Sequence, residues 1–204
     1  MSGVKEDLAD IREYERTRYR GLDQKIVHAA ESRIVRDFIN LIYQEDEKIL
    51  DIPCGYGRFT SFLVEEPIRV FVGDVNRKML LRVQERFRDR VNFTQGNIME
   101  LPFRDKAFHA ILSIRLFQHF HTPGERIAAF SEIARVISGW AVISVYTSSV
   151  LHKCMRMFRE HHKITMATTG QIQDEIEQSG LRLLESKKIL PGVHAQTILL
   201  VEPQ

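Results

Sequence analysis

The residues from 51 to 58, Asp-Ile-Pro-Cys-Gly-Tyr-Gly-Arg, concentrate an acid, two glycines and an arginine where an apolar run gives way to a helical pattern. In an open α/β sheet, ligands bind beyond the carboxyl ends of the strands, and glycine there lets a ligand approach the backbone closely. Gly55 and Gly57 therefore read as part of a nucleotide-type pocket; the plainer alternative is that a Gly-x-Gly turn is only a turn. A dinucleotide fingerprint needs a third glycine three residues after Gly57, and position 60 is Thr, which disfavours NAD and FAD. Roughly 20 residues after the first acid, a second apolar run ends in Asp74, the spacing at which a carboxylate meets a ribose. Such a carboxylate accepts from both sugar hydroxyls and repels a 2′-phosphate, so the pattern describes an unphosphorylated ribonucleoside.

Residues of this kind need rigid strand ends to hold them. KILDIP (48–53), IRVFVGD (68–74), AFHAILSI (107–114) and GWAVISVY (139–146) are short apolar runs that read as buried strands of a parallel sheet. VNFTQG (91–96) supplies a further short strand. Segments 59–65, 77–87 and 126–136 lie between these runs with helical periodicity, and such alternation predicts a doubly wound α/β fold. Two helices are expected upstream: one over the charged stretch from Val4 to about Arg20, the other marked by Ile34, Phe38, Ile39 and Ile42. Downstream, a helix at about 169–179 precedes LRLLESKKIL and AQTILLVEP, which the turn signal Pro191-Gly192 joins into an antiparallel hairpin at the sheet edge. The expectation is a mostly parallel seven-stranded sheet in a three-layer α/β/α sandwich.

Taken in order, DIPCGYGR, VGDVN, GNIMELPFRDKAF and LFQHF resemble the class I S-adenosylmethionine (SAM)-dependent methyltransferases, particularly the small-molecule type. The resemblance spans about residues 30 to 146, and the tail is similar only in layout. It implies SAM as cofactor, with S-adenosylhomocysteine as product. It also implies that the loop holding Asp51, Pro53, Cys54, Gly55, Gly57 and Arg58 wraps the methionine portion, that Asp74 binds the ribose, and that Asn97 reads the adenine amino group. Val75 and Ile98, each following one of those positions, are implied to pack on the adenine. Pro53 stands where the family's first glycine falls, and proline can fix the loop's φ where no amide donor is needed. Asn97 replaces the usual acid, and its amide oxygen still accepts an adenine N–H. His109 also replaces an acid, and the sequence gives no physical account of that change. His119 falls where family members often carry a histidine at the active-site mouth. Its ring suits removal of a proton from the methyl acceptor, a packing or capping histidine being the alternative. Arg115, nearer the strand end, suits the cofactor carboxylate or an anionic substrate, with a plain surface arginine as its alternative.

The 204 residues fit one domain. It is read as a helical cap (1–45), a SAM-binding core (46–146), a substrate lid (147–168), and a C-terminal helix with hairpin (169–204). The lid expectation rests on LHKCMRMFREHHKI (151–164), whose basic character suits a phosphate-bearing or lipid-like substrate. Tyr14, Arg18 and Tyr19 would add a second cover over the cofactor, or simply pack. His152, Cys154, His161 and His162 lack metal-finger spacing, so no metal is expected. With 29 Lys+Arg against 27 Asp+Glu, the net charge of +2 is too small to imply a nucleic-acid partner. Nucleic-acid amino methylation usually shows an Asn- or Asp-Pro-Pro-aromatic run after the fourth strand, where this chain has Ser113-Ile-Arg-Leu. The polar start is unlike a signal peptide, no apolar run approaches the roughly 20 residues of a membrane span, and the two cysteines read as reduced thiols; a cytoplasmic location is expected. The leading expectation is a methyltransferase acting on a small molecule, anionic or lipid-like. Its rival is a non-catalytic SAM-binding module that regulates or scaffolds a partner.

Overall fold

The computed structural model describes residue 13 and residues 21–147, 166–191 and 194–204. The expected cover residues Tyr14, Arg18 and Tyr19, and the segment 151–164 with its histidines and Cys154, lie outside the described residues. Five runs rich in branched apolar side chains form parallel strands: β1 Lys48–Asp51, β2 Arg69–Asp74, β3 Val91–Gln95, β4 Phe108–Ser113 and β5 Ile137–Tyr146. β6 Leu181–Lys188 and β7 Gln196–Pro203 complete a seven-stranded sheet in the order β3-β2-β1-β4-β5-β7-β6. β7 runs antiparallel to both β5 and β6, so the expected hairpin is present, and its second strand is the inner one.

Helices cover both faces: α1 Leu22–Ile42, α2 Thr60–Leu63, α3 Arg77–Phe87, α4 Pro123–Val136 and α5 Thr169–Gln178. Successive strand residues point to opposite faces, so each strand feeds two cores. Ile49, Leu112, Val142 and Ile198 pack with Val35 and Phe38 of α1 and Val83 of α3. Their neighbours Leu50, Ile111, Ile143 and Leu199 pack with Phe130 and Ile133 of α4 and Ile176 of α5. The result is a three-layer sandwich. Among the described residues, no helix is long and apolar enough to cross a membrane.

Two helix boundaries depart from the periodicity for local reasons. α4 begins three residues before Arg126 because Thr122 and Glu125 form a capping box. The Thr122 hydroxyl accepts from the Glu125 N–H (3.2 Å), the Glu125 carboxylate accepts from the Thr122 N–H (2.8 Å), and Pro123 occupies the first turn. α2 stops at Leu63, short of 65, ahead of Pro67, whose ring disfavours helical geometry in the residue before it.

The register sets Asp51 opposite Val72 of β2 and Leu112 of β4, while Asp74 ends β2. Both acids thus finish neighbouring strands at the same edge of the sheet. After β1 the chain turns toward β2 and β3 on one side and β4 and β5 on the other, which opens a crevice at the strand tips.

Candidate active site

The segment after β1 straddles that crevice. Ile52 N–H donates to the Leu112 carbonyl (2.9 Å) on the β4 side, and Cys54 N–H donates to the Gly73 carbonyl (2.8 Å) on the β2 side. Gly55 then adopts φ +53°, in the left-handed region, and a Cβ added there would meet nothing within 4 Å. Its backbone lies bare toward the crevice. Gly57 also has positive φ (+83°), but a Cβ there would fall 2.6 Å from Phe87 Cε2 and 3.1 Å from Val83 Cγ2. The second glycine therefore serves the close packing of the bend against α3 rather than the approach of a ligand.

Asp74 is buried, and each of its carboxylate oxygens accepts one backbone N–H: Oδ2 from Gly55 (3.0 Å) and Oδ1 from Asn76 (2.8 Å). A carboxylate offers about four acceptor directions, so the group can accept from a ligand as well. Burial raises the Asp74 carboxyl above its ordinary value, and the backbone N–H groups of Asn76, Gly55 and Val75 oppose that rise. Val75, next along, leaves a large apolar side chain 63% exposed. Asp51 is more deeply enclosed. It accepts from the Thr60 hydroxyl (2.5 Å), and burial, countered by that bond and reinforced by the Asp74 charge, pushes its carboxyl up to about 7.

A cavity of about 380 Å³ occupies the crevice. Its lining includes Pro53, Cys54, Gly55 and Arg58 from the bend, Asp74 and Val75 from the tip of β2, and Arg115 and His119 from the segment after β4. Tyr56, Phe59, Met79 and Leu116 also line it, and the sequence reading did not single them out. Tyr56 and Phe59 belong to the bend itself, so their proximity was the signal available. Asp51 and Gly57 lie behind the lining rather than in it.

Arg58 and Arg115 both engage Glu31, a fully buried residue of α1. Arg115 reaches it through Nε and Nη2, each 2.9 Å from a carboxylate oxygen, and the Gln196 amide at the start of β7 donates to the same carboxylate (2.5 Å). Arg58 also stacks over the Phe59 ring, 3.9 Å from its centroid. Burial works to raise the Glu31 carboxyl, and the two arginines outweigh it and hold the group below the usual carboxylate range. Sequence reasoning missed Glu31, since nothing in a long amphipathic helix marks one glutamate as inward-facing and paired.

His119 closes the short 3₁₀ turn Phe117–His119 and is exposed at the mouth. The Gln118 amide nitrogen donates to the Arg115 carbonyl (2.7 Å) and lies 3.3 Å from His119 Nε2.

The structure does not bring Asn97 or Ile98 to the cavity. Asn97 is exposed, and its side-chain oxygen accepts from Met99 N–H (3.1 Å) in a tight local turn, while Ile98 is buried in the core beneath α4. His109 receives a structural account. It sits at the start of β4, away from the strand tips, with its ring edge-on to Trp140 at 5.0 Å, and Gly139 leaves room for it: a Cβ there would lie 2.8 Å from the His109 carbonyl oxygen. Among the described residues, no cluster of His, Cys, Asp or Glu could hold a metal ion.

The chain has relatives among known proteins. Residues 49–139 match the family described as a methyltransferase domain. A protein of Encephalitozoon cuniculi named as a candidate methyltransferase is 30% identical over 151 residues, covering 73% of this chain and 65% of that protein. A Bos taurus protein provisionally named tRNA methyltransferase 9B is 40% identical over 132 residues, covering 65% of this chain and 28% of that protein. The chain thus spans less than two thirds of either relative's length. In three dimensions it is similar to the magnesium protoporphyrin IX methyltransferase of Synechocystis, solved with bound S-adenosylhomocysteine. The TM-score is 0.77 over 90% of this chain and 88% of that one, at 13% identity, a likeness of fold alone.

Proposed function

We propose, from the premise that this chain has the Rossmann-like fold of the class I SAM-dependent methyltransferases and carries a methyltransferase domain, that it is an enzyme moving a methyl group from SAM to a small-molecule acceptor. The observation that carries the reading is Asp74. Backbone N–H groups orient both of its oxygens at the tip of β2, and the carboxylate retains acceptor capacity, which suits the paired hydroxyls of a ribose. The fit extends along the cavity. Val75 offers the exposed apolar surface an adenine ring would cover, and the bare Gly55 backbone leaves room for the chain beyond the sugar.

The cofactor supplies an electrophilic methyl group on a sulfonium centre, and transfer from such a centre is downhill. The residues of this chain therefore have to align the reactants and shed water rather than drive difficult chemistry. Tyr56, Phe59, Ile114 and Leu116 give the cavity an apolar wall suited to excluding water. His119 stands at the mouth of the cavity, where an acceptor would enter, and its imidazole suits removal of the acceptor's proton. A cavity of about 380 Å³ is in the size range of small-ligand pockets, as the cofactor requires, and a net charge of +2 is a weak lure for a polyanion, which favours a small acceptor. The bovine relative's name makes tRNA the rival.

Calorimetry with S-adenosylhomocysteine tests the site. Asp74→Ala removes two hydrogen bonds to a charged acceptor, together worth about 3 kcal/mol or more, so affinity should fall about 100-fold or further. Undiminished binding would refute the assignment. Incubation with methyl-labelled SAM and either a metabolite extract or bulk tRNA tests the acceptor. Label is expected in small molecules; label in tRNA replaces the acceptor class, and tight binding with no transfer to either marks a SAM-binding module.

A further inference from the structure

Glu31 is a charged side chain with no exposed surface, and it lies on α1, outside the strand tips that build the cavity. Three elements converge on its carboxylate: Arg58 from the bend after β1, Arg115 from the segment after β4, and Gln196 from β7. Both arginines line the cavity. Two guanidiniums on one wall repel each other, and long side chains scatter over many rotamers unless something fixes them. A buried carboxylate between them removes the repulsion, and the fork of Arg115 contacts fixes that guanidinium in orientation as well as in place.

The strand order gives this arrangement a direction. Asp74 ends β2 on one side of β1, and Arg115 follows β4 on the other. A ligand held by its sugar at Asp74 and laid across the bend at Gly55 therefore brings its far end toward Arg58 and Arg115. In the cofactor that far end is an amino acid with a free carboxylate.

We propose that Glu31 is a positioning residue: it sets Arg58 and Arg115 to receive the cofactor's carboxylate, and so makes the seating of α1 a condition of holding the amino-acid end. The inference rests on the SAM reading above and adds a residue outside the strand-tip motifs. A helix with an ordinary amphipathic exterior becomes part of the binding site through one side chain.

Two probes that share the nucleoside and differ at the far end separate positioning from general support. S-adenosylhomocysteine carries the carboxylate, whereas 5′-methylthioadenosine lacks the amino-acid portion. Affinities for both, measured by calorimetry on the wild type and on Glu31→Gln, should show S-adenosylhomocysteine weakened about tenfold or more and 5′-methylthioadenosine essentially unchanged. Glu31→Asp, which keeps the charge and withdraws it by one methylene, should shift the same ratio in the same direction by less. It also serves as the test should the Gln variant fail to fold. Equal weakening of both probes would show a merely structural role and overturn the proposal, as would unchanged affinity for S-adenosylhomocysteine. If the wild type binds neither probe, the SAM reading itself falls; wild-type binding with an unmoved ratio removes only the role of Glu31.

Discussion

Gly55 and Gly57 are separated by a single residue and bear different constraints, which substitution should expose. Alanine at 55 meets open space, so its cost is the left-handed backbone, about 1 kcal/mol, and its methyl group enters the cavity. Alanine at 57 meets the same kind of backbone cost and collides with Phe87, for a total of roughly 2–4 kcal/mol. Thermal melts should therefore show Gly57→Ala lowering Tm by roughly 5–10 °C, with Gly55→Ala close to wild type but impaired in S-adenosylhomocysteine binding. The reverse ranking would contradict the assignment of packing to one glycine and ligand approach to the other. This pair also shows how far spacing alone reaches. The types and intervals of Asp51, Gly55, Gly57 and Asp74 locate the bend and both acids, because those depend on where strands end. They do not reveal that Gly57 faces α3 or that Asp51 turns beneath the loop to Thr60. Asn97 is legible as a position and not as a contact, since a local turn with Met99 draws its side chain outward. Glu31 leaves no trace in the sequence at all, because its partners are brought to it by the sheet.

Among the elements, α4 and α5 are joined by a buried ion pair, with Arg126 Nε and Nη2 2.8 and 2.6 Å from the two oxygens of Glu175. Removing one partner strands a charge in the interior, a loss of about 3–5 kcal/mol, whereas replacing both with apolar residues of similar volume is often neutral. Denaturant midpoints should fall sharply for Glu175→Ala and recover for the double variant Arg126→Met, Glu175→Met; a single variant as stable as wild type would show the pair to be incidental. Periodicity located both helices without revealing this link. The start of α4 depended on capping chemistry at Thr122 and Glu125, and Pro123 and Gly124 belong to its first turn. The strands were more legible than the helices, because β1, β4 and β5 are covered on both faces and so appear as continuous apolar runs.

At the scale of the whole molecule, two buried acids give stability opposite dependences on pH. Asp51, with its folded pKa raised to about 7, binds its proton more tightly folded than unfolded. Its contribution is complete below the ordinary carboxylate range and is lost as pH climbs toward about 7. Glu31, with its pKa lowered, contributes fully above the ordinary range and loses that contribution only as pH falls through its own value. Melting temperatures from pH 5 to 8 should therefore show the wild type losing ground to Asp51→Asn as pH rises to about 7, with a constant gap beyond. Parallel curves throughout would mean that Asp51 ionises at its ordinary pH. The doubly wound layout was legible from alternating strands and helices, but the inner place of β7 was not, since a hairpin sequence does not say which arm joins the sheet. That place sets a timetable for synthesis. Translation makes β6 before β7, yet β7 is the strand that pairs with β5 and carries the amide reaching Glu31. Until residues 196–203 leave the ribosome, the hydrogen-bonding edge of β5 that they will occupy has no permanent neighbour, and the wall around Glu31 waits for a strand made after every other strand of the sheet.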